Sequence, residues 1–250
     1  MMNTSTSVDQ HRTSDTTNVC SHDRDPDAVR EMFSRISPRY DLANHLLSAG
    51  CDFLWRKRAA AIVARWNPPC VLDLASGSGD LALALQRKLP RSRITALDFS
   101  EEMLALAHSK GVRDTVVADA LALPFAAQSF DAVTVAFGLR NMQDWAAALR
   151  EMRRVLTSSG HLLVLDFSLP RSSGLRQLYR LYLHRVLPRL CSMITRDASA
   201  YEYLGASIET FPRGGAMCDL LNTNGFENAE AEPLTAGIVT IYTAAPAARP

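Results

Sequence analysis

VLDLASGSGDLALAL, Val71 to Leu85, decides how this chain folds. Val71–Ala75 reads as a short buried strand, Gly77 and Gly79 as a tight turn, and Asp80 as the start of a helix. A strand–Gly-x-Gly–helix unit sets backbone N–H groups and the positive end of a helix against a bound ligand, with no side chain between. That geometry predicts a site for a nucleotide-type cofactor, and two classes satisfy it. Gly77, Gly79 and Ala82 match the dinucleotide pattern G-x-G-x-x-G/A, with Asp98 roughly twenty residues on, where a ribose-binding acid belongs. Asp73, inside the strand, tips the balance. A buried carboxylate is costly without a partner, and here it would repel a pyrophosphate and attract the ammonium of S-adenosylmethionine. The Asp-x-x-x-Gly-x-Gly pattern therefore points to methyl transfer rather than hydride transfer.

Working outward, strands and helices alternate. Asp52 is read as the N-cap of a helix over Phe53–Trp66, stopped by Pro68–Pro69. Asp80–Leu89 is helical, Ile94–Leu97 a strand closing on Asp98, and Ser100 caps the next helix. Thr115–Ala118 and Phe130–Ala136 follow as strands, then a helix capped by Asp144, a turn at Thr157–Gly160, and a strand over His161–Phe167. A helix near Gly215–Asn224 and two strands, Asn228–Glu232 and Ile238–Thr243, complete the chain and suit a hairpin at a sheet edge. Such alternation predicts an α/β fold, a Rossmann-like, doubly wound, mostly parallel sheet, whose ligands bind beyond the carboxyl ends of the strands. Asp98 and Asp119 both fall there.

At 250 residues the chain suits one large α/β domain, and 47% hydrophobic residues supply a core. The divisions expected are a disordered polar tail over 1–25, a helical arm or lid over 26–66, and a cofactor-binding domain over 67–250 with a helical insertion at about 170–200. A net charge of +1 argues against nucleic-acid binding, which needs a concentrated basic surface. The five cysteines are scattered, with no C-x-x-C pair and no adjacent histidines, so neither a metal nor disulfides are expected. With no membrane-length apolar run and no signal core, the expected location is the cytoplasm, peripheral at the inner face of the membrane. That qualification comes from Pro170–Arg196, which holds six arginines and no acid. Leu175, Leu178, Tyr179, Tyr182, Val186 and Leu190 fall near helical spacing there. Two readings stay open: an ordinary amphipathic surface helix, or an interfacial helix resting on anionic lipid or covering a greasy substrate.

Together these residues resemble the ubiquinone and menaquinone biosynthesis C-methyltransferases. The resemblance is carried by YDLANHLLSAGCDFLWRKR (Tyr40–Arg58), AFGLRNMQDWAAALREMRRVL (Ala136–Leu156), YEYLGASIETFP (Tyr201–Pro212) and LTAGIVTIY (Leu234–Tyr242). It implies a class I methyltransferase fold, S-adenosylmethionine as methyl donor, and a lipid-soluble polyprenyl quinol as acceptor. That quinol would be demethylmenaquinol or, in the other branch, a 2-methoxy-6-polyprenyl-1,4-benzoquinol. Methylation of another small acceptor, a non-catalytic binding module and a homodimer remain alternatives.

The resemblance also implies roles. Asp73, Gly77, Ser78, Gly79, Asp98, Asp119 and Ala120 would hold the cofactor, Asp98 at the ribose and Asp119 at the adenine amino group. Arg140 and Asn141 would face the reacting ring, while Tyr40 and Asp41 would fold over as a lid. A guanidinium stays protonated and is a poor base, so Arg140 is expected to stabilise the phenolate while water or Asp41 takes the proton. Three departures stand out. Ser76 replaces a usual glycine, which would be uncomfortable at positive φ. Ala136 stands where many members carry a cofactor-contacting serine, and Thr157–Gly160 replaces a Lys-Pro-Gly-Gly turn.

Overall fold

Residues buried on both faces of a strand require layers on both sides, and the chain supplies them. The computed structural model describes residues 48, 50–186 and 199–248. Seven strands form one sheet: β1 (Cys70–Leu74), β2 (Arg93–Asp98), β3 (Asp114–Val117), β4 (Phe130–Ala136), β5 (Leu156–Phe167), β6 (Phe226–Leu234) and β7 (Val239–Pro246). Their order is β3-β2-β1-β4-β5-β7-β6. β1 to β5 run parallel, and β7 pairs antiparallel with both β5 and β6. The mostly parallel sheet with an edge hairpin is therefore as expected. The direction of winding reverses between β1 and β4, and such a reversal leaves a crevice at the carboxyl ends.

One face carries α1 (Cys51–Trp66), α2 (Asp80–Lys88) and α3 (Glu101–Ser109). The other carries α4 (Trp145–Val155) and α7 (Gly215–Thr223). Period-two alternation sorts the strand residues: Val71 joins Trp55, Ala59, Val63 and Leu85, while Leu72 and Leu74 join Leu149, Met152 and Leu221. α1 is thus one layer of this core, although the sequence drew it into an arm; the rest of that arm lies outside the described residues.

Several local expectations are corrected. Asp52 does not cap α1; Gly50 does, in the left-handed region, and Asp52 turns inward to pair with Arg56 one turn on. The predicted turn at Thr157–Gly160 is absorbed into β5 as a bulge, since Phe130 pairs with Leu156 but Ala132 with His161. Within the arginine-rich segment, α5 (Ser173–Leu181) runs into a single wide turn over Tyr182–Val186. The predicted apolar stripe does not bury as one face: Leu175, Tyr179 and Tyr182 are half-buried, but Leu178 and Val186 are exposed. Leu183 is buried, whereas Leu178 is 63% exposed and Leu181 and Val186 are exposed beside it. Leu190 lies outside the described residues. α6 (Ser199–Thr210) follows, packing near the Leu139–Asn141 turn.

Candidate active site

The turn after β1 and the turn after β4 meet at the crevice. Gly138 is a glycine because a Cβ there would lie 2.5 Å from Ala75 Cβ. Gly79 has φ 81°, and a Cβ on it would fall 2.6 Å from Val112 Cγ2 and 2.8 Å from Ala107 Cβ, so α2 abuts α3 only through glycine. Ser76 is absent from the residues with positive φ, which are Ala75, Gly77 and Gly79 in this turn. The departure from glycine is thus sterically harmless, and the Ser76 hydroxyl donates to Asp73 Oδ2 at 2.7 Å.

Between these turns lies a cleft of about 920 Å³ at the tips of β1, β2 and β4. Gly77, Asp98, Asp119, Ala120 and Asn141 line it, with Ala136 and Gly138 on the same wall. Asp98 is 5% exposed and accepts from Gly77 N at 2.8 Å on one oxygen and from Ser100 N at 3.0 Å on the other, with the Phe99 N–H a further backbone donor. Burial pushes its carboxyl above the usual range, and those backbone donors oppose the shift. A carboxylate offers about four acceptor positions, so Asp98, with Gly77, Ser100 and Phe99 N–H against it, keeps room for a donor from the cleft. Asp119 is exposed and folds onto Leu121 N at 2.8 Å, an Asx turn that fixes the following Ala120 backbone.

Asp73 does not line this cleft. It borders a smaller space of about 370 Å³ with Ser76, Gly77, Ser78 and Arg56. Its second oxygen accepts from Thr134 Oγ1 at 2.7 Å, and Thr134 is its partner across the β1–β4 ladder. Burial nonetheless raises its carboxyl to about 6, against the hydroxyls of Ser76 and Thr134 and the charge of Arg56. Ser78 is buried at the same wall.

Arg140 sits differently from the expectation. It is 6% exposed and does not line the cleft; its Nη1 donates to Asp166 Oδ1 at 2.7 Å and to the Phe137 carbonyl at 2.5 Å. The guanidinium also lies 5.2 Å from the Phe167 ring centre, and its buried Nε has no hydrogen-bond partner among the described residues. Phe137 has φ 60°, strained for a side chain of its size, so the contact to its carbonyl secures an unfavourable turn. The Asp166 carboxylate balances the Arg140 charge, and together they tie the Phe137 turn to β5. Asn141 also reaches the Phe137 carbonyl, at 3.4 Å, and stays on the cleft wall. Tyr40 and Asp41 lie outside the described residues.

Sequence reasoning missed Asp166, Phe137, Thr134 and Arg56. Asp166 was legible by the argument applied to Asp73, since a carboxylate inside the apolar run LLVLDF demands a partner.

The sequence pattern of the ubiE/COQ5 methyltransferase family matches residues 17–246. The chain belongs to that family. A demethylmenaquinone methyltransferase of Thermus thermophilus is 45% identical over 216 residues, covering 84% of this chain and 98% of that protein. A ubiquinone/menaquinone biosynthesis C-methyltransferase of Syntrophotalea carbinolica is 42% identical, covering 86% and 92%. In fold, this ubiE/COQ5 methyltransferase resembles a SAM-dependent methyltransferase of Thermotoga maritima, with TM-score 0.62 at 19% identity over 86% of this chain and 98% of that one.

Proposed function

We propose that the protein transfers the methyl group of S-adenosylmethionine to a ring carbon of a polyprenylated quinol, and that this quinol is demethylmenaquinol. One observation carries the reading: a cleft at the winding reversal, closed on one side by a glycine turn and holding a buried carboxylate, Asp98, on its wall. A carboxylate acceptor at that strand end suits the hydroxyls of a ribose. The same cleft is otherwise apolar around Leu97, Phe99 and Met103, as a purine requires. The substrate assignment rests on relatives such as the Thermus enzyme, whose name gives demethylmenaquinone.

In this reading Asp98 holds the ribose hydroxyls, Asp119 the adenine amino group and Ala120 the edge of the ring. Gly77, Ser78 and Gly79 shape the turn around the rest, and Asp73 fixes that turn through Ser76. When bound, S-adenosylmethionine supplies an electrophilic methyl group. A quinol hydroxyl titrates near pH ~10, so the site must draw off its proton to make the neighbouring ring carbon nucleophilic. We assign ring orientation to Asn141, on the cleft wall, and closure and proton acceptance to Tyr40 and Asp41. Arg140, bound to Asp166, holds the turn that presents Asn141. For α5, the exposed Leu178, Leu181 and Val186 on an arginine-rich stretch support contact with anionic lipid, where such a substrate resides. No helix among the described residues is long and apolar enough to cross a membrane.

Quinone profiling of a deletion strain tests the assignment. Accumulated demethylmenaquinone, cleared by the intact gene, is the expected result. An accumulated unmethylated benzoquinol would move the enzyme to ubiquinone synthesis, and an unchanged quinone pool would reject both.

A further inference from the structure

The smaller space beside Asp73 opens off the cleft and shares Ala75, Gly77, Ala136 and Phe137 with it. Its chemistry is different. The cleft is apolar apart from a few polar groups, whereas the annex is lined by a guanidinium, Arg56, and two carboxylates, Asp73 and Asp80. A ligand filling both would carry an uncharged ring system at one end and a zwitterion at the other. We infer that Arg56 receives the carboxylate of the amino-acid end of S-adenosylmethionine, with Asp73 facing its ammonium. This rests on the cofactor reading above and adds a residue from α1, outside the glycine turn, to the binding machinery.

Arg56 is built to receive an anion. Its Nη1 donates to Asp52, its Nη2 lies 3.6 Å from Asp80, and its guanidinium stands 5.5 Å from the Phe137 ring centre. The side chain is only 11% exposed, so it is held in place before any ligand arrives. Of its five N–H donors, a single one makes a hydrogen bond among the described residues. The charge count agrees. Asp52, Arg56, Asp80 and Lys110 form a chain of ion pairs with no net charge, since Lys110 Nζ sits 2.9 Å from Asp80. Asp73 is then the one uncompensated anion among these annex residues. An amino-acid end is itself neutral, and the sulfonium beside it brings a single positive charge to match. The planar fork of an arginine suits a carboxylate better than a lysine would.

Calorimetric titration with two ligands tests this. S-adenosylhomocysteine carries the amino-acid end, and 5′-methylthioadenosine has the same nucleoside without it. The wild-type protein should prefer S-adenosylhomocysteine by well over about tenfold, as expected for a charge-assisted pair. Arg56→Met should weaken S-adenosylhomocysteine by about tenfold or more and leave 5′-methylthioadenosine within about twofold, with Arg56→Lys in between. Should Arg56→Met fail to fold, Arg56→Gln, which keeps a donor for Asp52, is read in the same way. Equal weakening of both ligands, or no change in either, would overturn the assignment while leaving the cofactor reading intact. Wild-type protein that binds neither compound would remove both.

Discussion

Asp73 couples cofactor binding to stability at the level of a single side chain. Burial raises its carboxyl to about 6, so in the folded, ligand-free protein it is ionised at neutral pH and takes up a proton only below about 6. A group raised on folding stabilises most below its ordinary range, and that contribution is lost as pH rises through about 6. A cationic ligand alongside favours the ionised form, so cofactor affinity should fall as pH drops below about 6 and level off above it. Asp73→Asn should therefore weaken S-adenosylhomocysteine by about tenfold or more, while its melting temperature at pH 8 matches or exceeds wild type. Titration and a thermal scan on one sample check both. Arg140 and Asp166 behave as a unit. Arg140→Ala strands a fully buried carboxylate and should cost about 3–5 kcal/mol, against much less for the double replacement Arg140→Leu/Asp166→Leu. Urea melts of the single and double variants decide it. Had Arg140 acted only on the substrate, Arg140→Ala would unfold like wild type.

Among the elements, those with a local signal were legible. β4 falls where the apolar run predicts, over Phe130–Ala136, and Ser100 and Asp144 cap the helices they precede, through Met103 N and Ala147 N. The failures were tertiary. Asp52 has the right type for a cap, yet Arg56 and Ser48 draw it inward, a competition invisible in sequence. The Thr157–Gly160 turn reads as a loop because a bulge uses turn residues; only pairing with β4 makes it strand. In α5 the helical period was right, but spacing alone did not show that Leu178 faces outward, nor that the helix widens over Tyr182–Val186. Leu178 and Leu181 remain on the outside, and Leu178→Glu/Leu181→Glu should leave the melting temperature within about 1 °C, since exposed changes seldom exceed about 0.5 kcal/mol. The same variant should lose most binding to phosphatidylglycerol vesicles in sedimentation. Undiminished sedimentation would remove α5 from the lipid contact.

The whole molecule divides labour between a sheet that positions and loops that bind. The glycine turn, Asp98 and Asp119 were legible because parallel strands deliver their carboxyl ends to one rim, so strand ends alone locate the cleft. The annex was not, because Arg56 reaches it from α1 across a separate layer, and no spacing rule links residue 56 to residue 73. Gly138 exemplifies how tightly the rim is assembled: Gly138→Ala would press on Ala75 and should cost about 1–3 kcal/mol and disturb cofactor binding, read by melting temperature and titration together. The account stands or falls on whether the rim at β2 takes an adenosyl ligand. The direct measurement is titration of S-adenosylhomocysteine into wild type and Asp98→Asn, which keeps an acceptor for Gly77 N. One-to-one binding by wild type and at least about tenfold weaker binding by the variant is predicted; because the variant loses the acceptor for Ser100 N, both titrations are run well below the variant's melting temperature. Equal affinity in the two proteins would contradict it.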